Sequence, residues 1–250
     1  MIKYGLKLWS SDKPELFDKA KRLIERKIFH FIELYIVPFD CSLSKLGVIK
    51  GLTVSIHATH ELHGFNFAQK KTTNFTILNQ VYKVADLFGA KIIVVHPGIE
   101  GSLKTVTTNL KRIHDKRVII ENMPFKALPS LGEKTCVGST LKEIQAFQNL
   151  GFKLCIDFGH AIKSSMSQSI HYKDFIRQLL SFKPSYFHIS DISFDNEHDE
   201  HLNLGEGDID LAWIKHELLQ LPQAKVVLET PKNANDLLND KQNIEFFRRI

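Results

Sequence analysis

The sequence predicts an α/β protein, a single (β/α)₈ barrel formed by residues 1–250. Eight short apolar runs recur along the chain, and most of them are separated by segments with helical spacing. Their cores are rich in Val, Ile and Leu with little polar alternation, as is typical of parallel strands buried on both faces. A length of 250 residues is also common for one domain of this architecture.

The eight runs follow one another through the whole chain and predict the strands of the barrel. In order they are IKYGLKL (2–8), FIELYIV (31–37), LTVSIHA (52–58), KIIVVHPG (91–98), RVIIENM (117–123), KLCIDFGH (153–160), SYFHISD (185–191) and KVVLETP (225–231).

Three of the intervening segments give the clearest helical patterns: PELFDKAKRLIERK (14–27), TNFTILNQVYKVADLFGA (73–90) and DIDLAWIKHELLQL (208–221). In the last of these, Ile209, Trp213, Ile214 and Leu218 share one face. The second crossover, residues 39–50, is short and gives the weakest helical pattern. A doubly wound open sheet is the alternative architecture, but the first βα turn has no GxGxxG and the chain has no Walker lysine motif.

The composition predicts a cytoplasmic protein. Its three cysteines, Cys41, Cys136 and Cys155, are widely spaced, which indicates a reducing compartment and argues against a disulfide framework or a zinc ribbon. The N-terminus lacks the apolar core of a signal peptide, and no stretch reaches the roughly 18 apolar residues of a membrane span. We therefore expect no membrane partner. We also expect a monomer. The net charge of +5 and the pI near 9.0 fit an anionic partner such as a nucleic acid or a sugar phosphate.

Side chains able to bind metal stand at or near the carboxyl ends of six successive runs: His57, His96, Glu121, Asp157 with His160, His188, and Glu229. One further segment, HDEHLNLGEGD (198–208), adds Asp199 and His201. In a barrel these strand ends converge on one rim, where packed carboxylates and imidazoles destabilise one another unless cations compensate them. Five histidines, four carboxylates and no cysteine suit Zn²⁺, Mn²⁺ or Fe²⁺. Nine ligands exceed the needs of one ion, so we expect two or three ions sharing a bridging carboxylate.

Six motifs resemble those of the endonuclease IV group of apurinic/apyrimidinic endonucleases, within the xylose-isomerase-like TIM barrels: VVHPG (94–98), IIEN (119–122), CIDFGH (155–160), FHISD (187–191), DEHLNLGEG (199–207) and VLETP (227–231). The resemblance covers nearly the whole chain and implies three zinc ions, with Mn²⁺ or Fe²⁺ as an alternative at one site. It assigns the first ion to His57, His96 and Glu121, the second to Asp157, His188 and Glu229 with Glu121 as a bridge, and the third to His160, Asp199 and His201.

The same resemblance implies hydrolysis of DNA on the 5′ side of abasic sites, a step of base excision repair, with abasic duplex DNA as the partner. Closely spaced metal ions lower the pKa of water and so suit attack on a phosphodiester. The implied catalytic residues are Glu121, which holds the metal pair together, and Glu229, which orients the attacking hydroxide. An abasic nucleotide is also the easiest to extrude from a duplex. His60, in HATHELHGFNF, is a candidate substrate-binding residue or a solvated loop histidine.

A sugar isomerase or keto-sugar epimerase is the alternative function. Enzymes of that kind bind one divalent ion with a quartet that matches Glu121, Asp157, His188 and Glu229, and their two outer glutamates move a proton beside a carbonyl. The partner would then be a small sugar or sugar phosphate. Glu33, in FIELY, resembles these sugar enzymes. Glu200 stands where the nuclease family has an Arg, and a carboxylate there is expected to repel phosphate. The number of bound ions separates the two functions, three for the nuclease and one for the isomerase.

Overall fold

The structure, a computed structural model, describes residues 1–38, 40, 43–232 and 236–250. Eight parallel strands close into a barrel in chain order, with each strand paired to the next and β8 paired to β1. This confirms the predicted (β/α)₈ barrel. The strands are β1 (Lys3–Trp9), β2 (Phe31–Tyr35), β3 (Val54–His57), β4 (Ile93–Val95), β5 (Val118–Glu121), β6 (Lys153–Asp157), β7 (Tyr186–Ile189) and β8 (Lys225–Leu228).

Helices follow the strands and cover the outside of the barrel. They are α1 (Pro14–Glu25), α2 (Leu43–Leu46), α3 (Thr73–Phe88), α4 (Leu103–Leu110), α5 (Leu141–Asn149), α6 (Phe158–Ser167), α7 (Tyr172–Leu180), α8 (Leu211–Leu219) and α9 (Leu238–Arg249). In the second crossover, α2 is a single turn that continues into a 3₁₀ turn at Gly47–Ile49. Phe39, Cys41 and Ser42 of that crossover lie outside the described residues. None of the helices in the described ranges has both the length and the apolar composition that a membrane span requires.

Side-chain capping sets two of the boundaries that differ from the predicted ones. The sixth run ends as a strand at Asp157, because this carboxylate accepts a hydrogen bond from the His160 N–H at 2.7 Å and caps α6. The helix predicted over 208–221 begins at Leu211, because Asp210 accepts a hydrogen bond from the Trp213 N–H at 3.0 Å. An Asp at the N-cap satisfies an amide of the first turn that has no partner within the helix. The cap at Asp157 also brings His160 one turn into a helix directly behind a strand end.

An apolar layer fills the barrel interior beneath the strand ends. Six buried residues from six strands form this cluster: Phe31, Val94, Ile119, Cys155, Tyr186 and Val227. Because side chains alternate along a strand, the residue two positions further on shares the inward face, and this places Glu33, His96, Glu121, Asp157, His188 and Glu229 directly above the layer. Gly5 leaves room for it, since a Cβ atom there would lie 2.5 Å from the Phe31 ring. The barrel therefore supplies a dry floor for polar groups at its carboxyl end.

The long loop after β5 is fixed to the start of α5 by Glu143. One oxygen of this carboxylate accepts hydrogen bonds from the backbone N–H groups of Gly138, Ser139 and Thr140, each at 3.1 Å. Thr140 completes a capping box by accepting from the Glu143 N–H at 3.3 Å. Three amides therefore share one charged acceptor at the point where the loop becomes helix.

We expect Glu143→Ala to lower the free energy of unfolding by about 2 kcal/mol, because hydrogen bonds to a charged group contribute about 1.5–3 kcal/mol. For a chain of this size that loss corresponds to a fall of about 4–8 °C in melting temperature. Calorimetry of the variant measures the effect. Lys142→Ala, on an exposed residue of the same helix, is the matched control, and equal melting temperatures for the two variants would contradict the prediction.

Candidate metal centre

All nine predicted metal ligands lie at the carboxyl end of the barrel, where their side chains form one continuous cluster. Glu121, Asp157 and His188 are fully buried on the floor. The others stand around them, and His201, with 36% of its side chain exposed, is the most accessible. Within the described residues, ligand atoms gather within 4.8 Å of one another in several overlapping groups. The convergence that the barrel predicted for these strand ends is therefore present.

Glu121 stands at the centre of the cluster and uses both of its carboxylate oxygens. Its Oε2 lies 3.1 Å from His57 Nε2 and 3.0 Å from His96 Nε2. Its Oε1 lies 2.8 Å from His188 Nδ1 and 3.7 Å from His160 Nδ1. A carboxylate with imidazoles on both oxygens has the geometry of a ligand that bridges two cations. His57, His96 and Glu121, the predicted first set, form one of the compact groups.

The predicted third set also forms a compact group, made of His160, Asp199 and His201. Asp199 Oδ2 lies 3.4 Å from His160 Nε2 and 3.0 Å from His201 Nδ1. His201 has a φ of 51°, in the left-handed region that residues other than glycine rarely adopt. Conformations of this kind are retained where the surrounding structure fixes them, often at functional sites. His201 combines this left-handed backbone with an imidazole that contacts Asp199.

The predicted second set is divided between two groups that share no residue. Asp157 gathers with Glu121 and His160, whereas His188 and Glu229 gather with Glu33 and His57. His188 Nδ1 lies 2.8 Å from Glu229 Oε1, so these two residues remain in direct contact. The structure thus brings the nine residues together and adds Glu33 to the group that contains His188.

Two observations test whether these residues fit divalent metal ions. Asp157 Oδ2 and Asp199 Oδ1 are buried, and neither accepts a hydrogen bond from any residue in the described ranges. A buried charged acceptor without a partner is costly, and a cation at these oxygens would remove that cost. The donor set of imidazole nitrogens and carboxylate oxygens also matches the ligands that Zn²⁺, Mn²⁺ and Fe²⁺ prefer. The residues therefore fit the predicted ions.

Cys155 is a potential ligand beyond the nine predicted ones. Its sulfur belongs to a compact group with Glu121 and His188. Burial raises the pKa of the Cys155 thiol, and metal ligation requires the thiolate. We therefore assign Cys155 to the apolar layer beneath the site, where its position in β6 places it.

Lys7 is a basic residue of the site that is not among the predicted site residues. Its Nζ contacts Glu229 Oε1 and lies 3.5 Å from Glu33 Oε1. Burial opposes the charge on Lys7, but the carboxylates of Glu229, Glu33 and Glu121 outweigh burial and raise the pKa of the ammonium. Lys7 follows Gly5 by two positions on β1, so strand alternation alone would have indicated an inward-facing lysine.

Glu33, in the segment FIELY that resembles sugar enzymes, forms a hydrogen bond with His188 in the structure. Its Oε2 accepts hydrogen bonds from His188 Nε2 at 3.0 Å and from the Tyr186 hydroxyl at 2.8 Å. The Tyr186 hydroxyl also lies 2.6 Å from Ser55 Oγ. Metal-binding histidines usually donate their second ring N–H to a carboxylate or carbonyl, and that bond orients the ring. Glu33 therefore orients His188 so that Nδ1 faces Glu121 and Glu229.

Backbone carbonyls orient two further histidines in the same way. His57 Nδ1 donates to Ala58 O at 2.7 Å, and His160 Nδ1 donates to Asn122 O at 2.9 Å. In both rings Nε2 is then the nitrogen directed at a carboxylate, Glu121 for His57 and Asp199 for His160. The orientation of each ring is thus fixed by the protein itself.

His60 lies at the mouth of the site. Its ring stacks on His96 with centroids 5.5 Å apart and an interplanar angle of 13°, and its backbone N–H donates to the Tyr35 hydroxyl at 3.2 Å. Burial, together with the neighbouring His96, holds the pKa of His60 well below its ordinary value. The ring is therefore neutral at pH 7. A role of His60 in binding substrate stays a prediction.

A cavity of about 570 Å³ opens onto the cluster, a volume in the range of small-molecule binding sites. Six of the nine predicted ligands line it: His57, His96, His160, Asp199, His201 and Glu229. Its apolar wall consists of Trp9, Tyr35, Met123, Pro124, Leu128 and Pro231, with the Trp9 and Tyr35 rings 4.7 Å apart. Lys7, Lys126 and Lys232 add positive charge to the lining. The cavity therefore combines metal-binding side chains, positive charge and an aromatic wall.

Comparison of the sequence with known proteins identified one family and two curated relatives. The model of a family described as a xylose isomerase-like TIM barrel matches residues 12–250. Two uncharacterized proteins of Methanocaldococcus jannaschii are similar in sequence. MJ1614 is 28% identical over 181 residues, which is 67% of this chain and 65% of that protein. MJ1311 is 22% identical over 177 residues, which is 64% of this chain and 57% of that protein. The matched region thus spans less than two thirds of each relative.

Solved structures with the same fold include enzymes of two different kinds. Endonuclease IV from Thermus thermophilus superposes with a TM-score of 0.72 at 18% identity, covering 99% of this chain and 98% of that one. A D-tagatose 3-epimerase-like protein gives 0.71 at 17% identity, covering 99% and 96%. The 3-keto-D-glucoside 4-epimerase YcjR from E. coli gives 0.71 at 14% identity, covering 100% of both chains. At these identities the likeness extends to the fold alone.

Proposed function

Because the chain belongs to the xylose isomerase-like TIM barrel family, we propose that it is a metal-dependent phosphodiesterase of the endonuclease IV type. Its proposed reaction is hydrolysis of DNA on the 5′ side of abasic sites with three zinc ions, one of which is replaceable by Mn²⁺ or Fe²⁺. The observation that carries the proposal is the position of Glu121 between two sets of imidazoles, 2.8–3.1 Å from His57, His96 and His188.

The number of donors supports several ions over one. A zinc ion uses about four or five ligands, whereas nine imidazole and carboxylate side chains meet at this barrel end. Two groups of donors that share no residue, His57 with His96 and Glu121, and His160 with Asp199 and His201, could each hold an ion. In the proposed enzyme, His57, His96 and Glu121 hold the first ion, Asp157, His188 and Glu229 hold the second with Glu121 shared, and His160, Asp199 and His201 hold the third.

The bound ions would lower the pKa of water and compensate the charge of the phosphodiester. The protein's own groups supply the remaining contributions. Glu229 lies at the cavity wall, and despite burial the positive charges of His188 and Lys7 hold its pKa well below the ordinary value. The carboxylate is therefore ionised and able to accept a hydrogen bond from the attacking water. His60, at the mouth, presents a neutral ring to the sugar or phosphate of the substrate.

The volume of the cavity, the lysines in its lining and the net charge of the chain support an abasic nucleotide as the substrate. A nucleotide without a base presents a sugar and its phosphates, which suit a cavity of about 570 Å³ with lysines in its lining. Extrusion from the duplex is easiest at such a site because no base has to be unstacked or unpaired. The net charge of +5 favours association with a polyanion.

A second candidate function is a sugar isomerase or epimerase that uses one divalent ion. The contacts of Lys7 favour it, because the ammonium neutralises Glu229 and Glu33 and so reduces the negative charge available to additional cations. In this function Glu121, Asp157, His188 and Glu229 hold the ion, and the cavity takes a small sugar or sugar phosphate. Two of the structural neighbours named above are described as epimerase or epimerase-like proteins.

Metal counting combined with a cleavage assay separates the two functions. We expect the zinc-loaded protein to hold three ions per chain by elemental analysis and to nick a duplex oligonucleotide at a single abasic site, leaving a 3′-hydroxyl. The same duplex without the abasic site should stay intact. Prolonged chelation should remove both the metal and the nicking. One bound ion, no nicking and epimerisation of a keto-sugar would contradict the proposed function and favour the second candidate.

A further inference from the structure

Lys163 is a buried charged residue that does not belong to the metal cluster. It lies in α6, and its side chain is completely buried. The ammonium donates to the carbonyl oxygens of Ser193 at 2.7 Å and Asn196 at 2.8 Å, and to Glu200 Oε2 at 2.9 Å. All three acceptors belong to the loop between β7 and α8, residues 190–210. A lysine is rarely buried unless its charge is paired, and here one loop supplies the hydrogen-bond acceptors.

The elements joined by this lysine are the two that carry the predicted third set of ligands. Lys163 follows His160 by three positions, one turn along α6. On the loop, Glu200 stands between Asp199 and His201. Glu200 Oε2 also accepts the Ser193 N–H at 3.2 Å, so the carboxylate closes the loop on itself around the ammonium. The contact therefore links the helix bearing His160 directly to the segment bearing Asp199 and His201.

The same contact gives a role to Glu200, the carboxylate that was expected to repel phosphate. Glu200 lines the cavity, but its Oε2 is paired with Lys163, and 23% of its side chain is exposed. The backbone at His201, the next residue, has the left-handed φ of 51°. A loop in that conformation needs fixed neighbours, and the buried ion pair directly precedes it.

We infer that Lys163 is a positioning residue for the third metal site and that it acts through Glu200 and the loop carbonyls to hold Asp199 and His201 against His160. The inference rests on the proposed function, because it assigns a cation to that set of residues. Lys163 is not one of the nine predicted ligands. Its hydrogen bonds are to the loop, so it affects metal binding through the position of the loop. Loss of the ammonium leaves two carbonyls and a carboxylate without their shared donor, and the loop then no longer presents its two ligands in a fixed position.

The experiment measures Zn²⁺ binding to the full chain by competition with a chromogenic chelator, for Lys163→Met and for the milder Glu200→Gln. We expect the third ion of Lys163→Met to bind about 10–100-fold more weakly, the usual effect of losing a group that orients metal ligands, while the first two ions bind as in the wild type. Glu200→Gln keeps a hydrogen-bond acceptor and should show a smaller loss at the same site. Hydrogen exchange of the metal-free proteins should be faster in residues 193–201 of Lys163→Met and unchanged in the barrel strands.

Lys173→Met is the matched control, because Lys173 pairs with Asp210 at the end of the same loop, outside the cavity, with side chains that are 26% and 43% exposed. Exposed ion pairs contribute little, so this variant should hold three ions as tightly as the wild type. Three ions of unchanged affinity in Lys163→Met and Glu200→Gln would overturn the inference and leave the proposed function standing. Fewer than three ions in the wild-type protein would overturn the proposed function and the assignment of Lys163 together.

Discussion

Glu121→Gln is expected to leave the barrel folded, to release the tightly held metal and to reduce cleavage of abasic DNA by at least about 10³-fold. Metal ions contribute several kcal/mol of transition-state stabilisation, and a loss of about 4 kcal/mol corresponds to about 10³ in rate. Glu121 is the residue whose two oxygens face His57 and His96 on one side and His188 on the other. An amide supplies one neutral acceptor and one donor, so it cannot join two cations.

Elemental analysis, circular dichroism and the nicking assay on the same preparation measure this result. Glu197→Gln is the matched control, because Glu197 lies near the site mouth and pairs with Lys126, whereas the nine predicted ligands lie elsewhere. The control should retain three ions and full activity. Wild-type nicking by Glu121→Gln with its metal still bound would show that Glu121 is not the bridging ligand.

Removal of the metal ions should lower the melting temperature by about 10 °C. A ligand that binds only the folded state at about 1,000 times its dissociation constant contributes about 4 kcal/mol, and each kcal/mol shifts the melting temperature of a chain of this size by about 2–4 °C. The buried Oδ2 of Asp157 and Oδ1 of Asp199, which accept no hydrogen bond from any of the described residues, are the structural source of the effect. Calorimetry before and after dialysis against a chelator measures it, and re-addition of Zn²⁺ should restore the original value. Identical melting curves before and after chelation would contradict the prediction that bound metal stabilises the fold.

The difference in melting temperature between the metal-free and the metal-loaded protein should widen as the pH rises from about 6.5 to about 9. Burial opposes a proton on His201, but the carboxylates of Asp199 and Glu229 outweigh burial and raise its pKa to about 9. A group whose pKa is raised by folding stabilises the protein below its unfolded pKa, about 6.5 for histidine, and that contribution is lost as the pH rises through the folded value. Burial also raises the pKa of Asp157, to about 6, but the loss of stability from this carboxyl is nearly complete by about pH 6.5, below the interval that His201 governs.

Metal binding displaces these protons, so the loaded protein should not share this loss of stability. Melting temperatures of both forms at about pH 6.5, 7.5 and 9, the interval between the two pKa values of His201, would measure the effect. A metal-free protein that becomes more stable over this interval would contradict the assignment of raised histidine pKa values to the site.

The fold and the set of residues that meet at the barrel end could be predicted from the amino-acid sequence. Eight apolar runs in alternation with helices are local patterns, and parallel strands in a closed barrel bring their carboxyl ends to one rim whatever the details of packing. His57, His96, Glu121, Asp157, His188 and Glu229 were therefore found from position alone. Strand alternation also predicts that Lys7 faces the barrel interior, although Lys7 was not among the predicted site residues.

Which side chains touch depends on the packing of the folded chain. Glu33 and His188 are 155 residues apart, and their hydrogen bond depends on the closure and register of the barrel. The pairing of Lys163 with Glu200 likewise depends on how the β7–α8 loop folds back over α6, and a loop of that length has no periodic pattern from which its path follows. The division of Asp157 and His188 between two groups has the same origin, because distances of a few ångströms between side chains on different strands are fixed by packing and not by spacing along the chain.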